Sequence, residues 1–224
     1  AFLANVVNIG AGNYHTCAIR QNGTTWCWGY NGYGQLGDGT ATDRYRATQM
    51  PSFRGATQLV GGDGHTCALM NDATVKCWGR GTEGQLGNNA ASTLYAPVAV
   101  LINSSTALSG VVEVEGGFHH NCARLSSGAV RCWGWNAYGQ IGDGTTTNRT
   151  VATVASYIPT GTATPSAITA TALGNGHYHS CAILADGSTR CWGRNDYGQV
   201  GDASVTNRAY GAEVYNLTGG SICS

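Results

Sequence analysis

The stretch "HTCAIRQNGTTWCWGYNGYGQLGDGT", His15 to Thr40, returns in close copies that begin at His65, His120 and His179. Aligned on the first cysteine, the copies place Cys17, Cys67, Cys122 and Cys181 at intervals of 50, 55 and 59 residues, so four repeats account for nearly the whole chain. A second cysteine follows ten residues later in every copy (Cys27, Cys77, Cys132, Cys191) and always precedes Trp-Gly, giving Trp28, Trp78, Trp133 and Trp192. Periods near 50 residues are the mark of β arrays such as propeller blades, in which one unit cannot bury its apolar face alone and stacks on its neighbours.

The local chemistry agrees with strands. His15 to Arg20 and Thr24 to Gly29 are short β-type segments separated by Gln21-Asn22-Gly23, a three-residue hairpin loop whose glycine suits the left-handed position. Counting outward from that loop sets residue 17 opposite residue 27 in a non-hydrogen-bonded pair, where side chains approach most closely. The spacing therefore predicts two sulfurs face to face on adjacent strands, in a geometry compatible with a disulfide. Trp28, one residue past Cys27, projects to the other face of the sheet.

An apolar run such as Val6 to Ile9 or Val111 to Val114 precedes each hairpin and reads as a first strand ending at Gly12, Gly62, Gly117 or Gly176. After the tryptophan, Asn31 to Thr40 is too rich in glycine for a helix and reads as an ordered loop. Gln35, Gln85, Gln140 and Gln199 recur there, with Asp38, Asn88, Asp143 and Asp202 three positions on and Arg44, Leu94, Arg149 and Arg208 six beyond those. A fourth strand is expected near Thr48 to Met50, Ala96 to Leu101, Thr150 to Ala155 and Ala212 to Tyr215. Inserts around Asn103 to Gly110 and Ser156 to Ser166 account for the unequal intervals. The expected fold class is all-β, a propeller-type array of four four-stranded blades. Its repeats run at about 5–54, 55–109, 110–165 and 166–217, with a tail at 218–224.

Composition narrows the function. With 12 basic and 12 acidic side chains the formal charge is zero, so nothing electrostatic favours nucleic acid or an anionic membrane. Charged residues are 11% of the chain, well under the usual ~25%. No run of about 18 apolar residues is present, so membrane insertion is not expected. The chain begins at Ala1, which suits a processed mature chain or a trimmed one.

The blocks H-T-C-A-[IL], C-W-G, N-x-[YD]-G-Q-[LIV]-G-D and T-x-x-R resemble the repeats of the regulator of chromosome condensation family over about 90% of the chain. That resemblance implies four-stranded blades arranged radially. Members usually close a ring of seven, whereas this chain carries four repeats; seven equal blades turn about 51° each, so four leave an open arc. A tighter four-bladed ring, an arc completed by another chain, and a fragment of a longer array are all compatible, with association with further copies preferred. Members of the family range from nucleotide exchange on a small GTPase to secreted enzyme inhibition and light reception, so the fold alone assigns no task.

Each candidate site residue also has a plain architectural reading. The cysteine pairs read as structural disulfides and imply an oxidising compartment, hence a secreted or cell-surface protein. Zinc is the rival, since His15-x-Cys17 with Cys27 offers three soft ligands, but no second Cys-x-x-Cys completes a tetrahedral site. His15, His65, His120 and His179 recur two residues before the cysteine and read, with the four tryptophans, as blade packing. The Gly-Asp loops lack the alternating oxygens of a calcium loop and are better used pairing with Arg44, Arg149 and Arg208. No Gly-x-Ser-x-Gly elbow is present, and neither an enzyme nor any cofactor or metal is expected. His119 and His177 lie outside the repeat pattern and read as loop residues. Sequons stand at Asn22, Asn103, Asn148 and Asn216. Cys223 is the odd cysteine and suggests an intermolecular bridge. The expected role is a non-enzymatic structural or interaction protein whose partners are other copies of itself, in an oligomer or extracellular filament. The alternative is an adhesin-like or inhibitor-like binder of an extracellular protein or glycan, with Tyr33, Tyr138 and Tyr197 as contacts.

Overall fold

A computed structural model describes residues 2–215, so Cys223 and Asn216 lie outside the described residues. The chain is all-β. The first blade is β1 (Val6–Ala11), β2 (His15–Arg20), β3 (Thr24–Gly29) and β4 (Arg44–Arg54), paired in that order as an antiparallel meander. The second is β5 (Ala56–Gly61), β6 (His65–Met70), β7 (Val75–Gly79) and β8 (Leu94–Ala99), and the third is β9 (Val111–Gly116), β10 (His120–Leu125), β11 (Val130–Gly134) and β12 (Arg149–Val154). The fourth blade, β15 (Ala170–Asn175), β16 (His179–Leu184), β17 (Thr189–Gly193) and β18 (Arg208–Glu213), gains two short strands, β13 (Ser156–Tyr157) and β14 (Ser166–Ala167).

Each hairpin has the register its loop dictates. Cys17 pairs with Cys27, Cys67 with Cys77, Cys122 with Cys132 and Cys181 with Cys191. Gly23 takes φ +77 and its N–H donates to the Arg20 carbonyl, closing the turn. Ala73 holds the same left-handed conformation at φ +63, although it carries a Cβ. With its Cα atoms 4.1 Å apart, each cysteine pair is bridged by a disulfide.

Two expectations need correction. The outer strands begin earlier than Thr48, Ala96, Thr150 and Ala212. Arg44, Leu94, Arg149 and Arg208 already pair with the glycine that follows each tryptophan, and a register shift then carries the strand onward. The segment Ser156 to Ser166, expected as a plain insert, supplies β13 and β14, and β13 runs parallel to β18 through Tyr157 and Gly211. Thus a segment leaving the third blade seals the outer edge of the fourth, which blunts an exposed strand.

Burial is organised between blades. Cys17, Ile19, Cys27, Leu36, Met50 and Phe53 of the first blade form one cluster with Ala56, Leu59, Ala68, Met70 and Trp78 of the second. The second and third blades share another cluster, around Val75, Leu86, Val114 and Trp133, and the third and fourth a third, around Val130, Ile141, Ile168 and Trp192. Four blades thus make three cores, and the disulfide face of one blade meets the tryptophan face of the next.

A sulfur bridge here closes a short loop while lining a core. Replacing Cys122 and Cys132 together by Ala is expected to lower unfolding free energy by about 2–3 kcal/mol. Urea denaturation followed by tryptophan fluorescence checks this, and a midpoint equal to that of the unmodified chain would contradict it.

Candidate functional site

The repeated polar residues converge on the joints. Trp78, Trp133 and Trp192 are 0% exposed. A buried indole needs an acceptor for its N–H, and each finds the backbone carbonyl of the glutamine in the preceding blade: Trp78 with Gln35 at 2.9 Å, Trp133 with Gln85 at 3.0 Å and Trp192 with Gln140 at 2.9 Å. Each glutamine carbonyl also accepts from the residue after the next blade's histidine, namely Thr66 at 2.7 Å, Asn121 at 3.0 Å and Ser180 at 3.2 Å. Those same side chains meet the preceding blade's histidine: His15 Nε2 lies 2.7 Å from Thr66 Oγ1, His65 Nε2 2.9 Å from Asn121 Oδ1 and His120 Nε2 2.9 Å from Ser180 Oγ. The glycine two residues past the glutamine makes room for the ring, since a Cβ on Gly37, Gly87 or Gly142 would stand under 3.0 Å from the indole.

Further contacts repeat at other radii. Near the axis, Asn13 N–H donates to the Gly62 carbonyl, Asp63 N–H to Phe118 and Phe118 N–H to His177. Along the inner strands, Asn8 Oδ1 accepts from Leu59 N–H, and the Gln58 amide both donates to the Val114 carbonyl and accepts from its N–H. Farther out, Gly39, Asn89 and Gly144 donate backbone N–H groups to the carbonyls of Tyr95, Thr150 and Ala209 on the next blade.

Buried Asn31, Asn136 and Asn195 organise the glycine-rich loops, a role that sequence reading missed. The Asn31 side chain accepts from Leu36 N–H and donates toward Asp38, Thr40 and Thr42. Asp38 then pairs with Arg44 at 2.6 Å and Asp143 with Arg149 at 2.5 Å, while Asp202 pairs with Arg208. Burial pushes the Asp38 carboxyl upward, yet hydrogen bonds from Thr40 and Arg44 outweigh it and hold the group below its ordinary range. The second repeat lacks the whole set. Gly81 stands at the asparagine position, and a Cβ there would meet the Ser92 carbonyl at 2.0 Å, so the loop closes over the missing side chain.

Aromatic residues gather on one rim. Phe118, His119, Trp135, Tyr138, His177 and Tyr178 form a cluster with centroid separations of 4.4–6.1 Å, edge-to-face except for Phe118 and His177, which are tilted at 36°. His119 and His177, expected as loop residues, belong to this cluster. The Arg194 guanidinium lies 5.2, 5.6 and 5.9 Å from the centroids of Tyr138, Tyr178 and Tyr197. Of the tyrosines expected as contacts, Tyr197 is 86% exposed, Tyr33 lies at the first joint and Tyr138 is half-buried in the cluster. Among the described residues, no group of three or more His, Cys, Asp or Glu is placed to hold a metal ion.

The joint histidines titrate far from their usual range. Burial, followed by the neighbouring His65, lowers His15 to about 4. Burial lowers His65 to about 4, and burial with its flanking histidines lowers His120 to about 3. An unfolded imidazole titrates near pH 6.5, so protons bind the unfolded chain first. The stabilisation is complete above about pH 6.5 and is lost as pH falls toward 4, by about 1.4 kcal/mol per pH unit for each histidine. Urea midpoints measured from pH 7 to 5 should fall accordingly, and His65→Gln should flatten the slope by one histidine's share. An unchanged slope in that variant would refute the assignment. Trp133→Ala is expected to cost about 3–5 kcal/mol, measured in the same unfolding experiment.

Two models described as the regulator of chromosome condensation (RCC1) repeat match the chain, one over residues 6–35, 56–85, 111–140 and 168–199, the other over 22–69, 73–124 and 127–183. The ultraviolet-B receptor UVR8 of Arabidopsis thaliana is 30% identical over 202 residues, covering 90% of this chain and 44% of that protein. The human E3 ubiquitin-protein ligase HERC2 is 30% identical over 202 residues, covering 89% of this chain and 4% of that protein. The chain thus spans less than half the length of these curated relatives. Among solved structures, yeast RCC1 (Prp20) bound to Kap60 superposes with a TM-score of 0.78 at 18% identity, over 97% of this chain and 50% of that one. Human WBSCR16 superposes with a TM-score of 0.78 at 20% identity, over 96% of this chain and 54% of that one. Both structural likenesses concern the fold. With its repeats matched along the chain and its blades superposed on those propellers, this protein belongs to the regulator of chromosome condensation repeat family.

Proposed function

We propose that the protein is a non-enzymatic, extracellular interaction module that adds blade to blade with further copies of itself, forming an oligomer or filament. The observation that carries this reading is the complementarity of the two end blades. Ile9 is 62% exposed on the first strand, whereas Leu59 at the same position of the second blade is 2% exposed. At the other end Ile183 is 46% exposed, whereas its counterpart Ile19 is 2% exposed. Trp28 is only partly buried, and among the described residues no hydrogen bond reaches its indole N–H, in contrast to Trp78, Trp133 and Trp192. Gly201, the counterpart of Gly37, meets Val214 rather than an indole.

The first blade therefore offers a tryptophan face and the fourth a disulfide face, the two halves of a joint made three times within the chain. Such a contact is heterologous: it closes a ring where the rotation allows and otherwise propagates. The four disulfides support an oxidising compartment. Commitment of the repeated histidines, cysteines and tryptophans to joints supports a role without catalysis. A second reading, recognition of another extracellular protein or glycan through one rim, is favoured by the aromatic cluster around Phe118 and Tyr178.

Light scattering coupled to size exclusion tests the assembly. The unmodified chain should show a mass that rises with concentration. Trp28→Arg and Ile183→Arg should each be monomeric alone, and their mixture should form a one-to-one complex, because each retains the face the other has lost. A mass of one chain at every concentration would overturn the reading.

A further inference from the structure

The rim of the first joint departs from that of the third in a way that leaves a site. Where the third joint carries Phe118, His119, Trp135, Tyr138, His177 and Tyr178, the first carries Asn13, Tyr14, Tyr30, Tyr33, Asp63 and Gly64 at the same repeat positions. The six rings of the third joint pack against one another and fill the space between blades. At the first joint three rings are gone. A recess of about 410 Å³ remains, lined by Tyr14, Tyr30, Tyr33 and Asp63. The Tyr33 ring lies against the bare backbone of Gly64, where a Cβ would stand 2.7 Å from it. Tyr30 and Tyr33 stand nearly perpendicular, at 85° with centroids 6.1 Å apart, and form two walls of a corner. Tyr14, 68% exposed, forms another wall.

The lining is electron-rich on several sides and carries one carboxylate. Asp63 is held at the rim by Asn13, whose Nδ2 donates to Oδ1 at 3.1 Å. Arg80 approaches the other oxygen only to 3.7 Å, while it pairs with Glu83 at 2.7 Å. The Arg80 guanidinium also lies over the Tyr33 ring at 5.6 Å, so a cation already uses that ring.

Aromatic faces attract cations through the ring quadrupole, and a desolvated aromatic cage is a recognised site for quaternary ammonium groups. The choice among cations follows from hydrogen-bond supply. A primary ammonium brings three donors that need acceptors, and besides the phenol oxygens this recess offers one carboxylate, whose Oδ1 is already taken by Asn13. A quaternary ammonium has no donor to satisfy. A neutral guest would cover Asp63 without compensating its charge, which is unfavourable. We propose that this recess is a binding site for a small quaternary ammonium cation, caged by Tyr14, Tyr30 and Tyr33 with Asp63 as counter-charge. Tyr14 stands where Gly64 and Tyr178 meet the preceding blade and so borders the first blade's end face. Tyr33 and Asp63 belong to the internal first joint, so Asp63→Asn tests this site with the assembly face intact and either reading can fail while the other stands.

Isothermal titration of the full chain with choline chloride and with tetramethylammonium chloride tests it, alongside 3,3-dimethyl-1-butanol, which has the shape of choline without the charge. Saturable binding of both cations is expected, with the neutral isostere at least ten-fold weaker. Tyr14→Ala and Asp63→Asn should each weaken choline by several-fold. The urea midpoint should not move for Tyr14, which is 68% exposed, and Asp63→Asn keeps the shape of a side chain that is 17% exposed and bonded to Asn13. Phosphatidylcholine vesicles distinguish the source of the group: retention that choline competes away identifies a lipid headgroup, and choline binding without retention identifies a soluble ligand. Absence of saturable cation binding, equal binding of the neutral isostere, or full affinity in both variants would overturn the proposal.

Discussion

The contact on which the arc depends is the indole of one blade closing on the glutamine backbone carbonyl of the blade before it. It joins a large apolar ring, a satisfied donor and a glycine that admits the ring, and it sets the spacing between neighbouring sheets. The surface it meets is lined by a disulfide, small and flat enough for a tryptophan face to lie against. Because the cores sit between blades, no blade has a core of its own among the described residues. Stability is then a property of neighbours, as expected for an array whose units cannot bury their apolar faces alone.

The same arrangement explains why the histidines are neutral. The imidazoles of His15, His65 and His120 are shielded by the next blade and hydrogen-bonded to a residue that itself serves the glutamine carbonyl. Charging one histidine places it near another, since each is flanked by its counterparts in adjacent blades. The column around the axis therefore tolerates imidazole but resists imidazolium. Four recurring histidines look like a catalytic or metal-binding series only when read along the chain; in space three of them repeat one hydrogen bond, and the fourth, His179, has no following blade among the described residues.

What was legible in the sequence was what local rules govern. A three-residue loop ending in a left-handed glycine fixes the hairpin register, and the register puts Cys17 beside Cys27 without any knowledge of the rest. The outer strands were harder. Arg44 was read as a loop residue because it pairs with Asp38, and one side chain gives no sign that its backbone also opens a strand opposite Gly29. The acceptor of each indole is a main-chain carbonyl, which leaves no mark on residue type. Asn31, Asn136 and Asn195 did leave one. Their replacement by Gly81 coincides with loss of the aspartate and arginine at Asn88 and Leu94, which is how a shared hydrogen-bond network appears in sequence. The strands β13 and β14 come from an insert with no counterpart in other repeats, so periodicity has nothing to say about them.

In an array of this kind the repeated positions are occupied by the work of joining blades, and specificity must come from positions that differ between repeats. One set of such differences lies on a rim, in the two residues that precede each histidine. Asn13-Tyr14, Asp63-Gly64, Phe118-His119 and His177-Tyr178 stand at equivalent places and share a backbone path, with Asn13, Asp63 and Phe118 each donating an N–H to the next blade. Their backbones are therefore fixed by the joint, while their side chains differ in what they place across it: Asn13 donates to Asp63 at the first joint, and Phe118 packs on His177 and Tyr178 at the third. The result is an aromatic plate at one end of the arc and a carboxylate beside separated tyrosines at the other, built on one scaffold whose main-chain contacts recur.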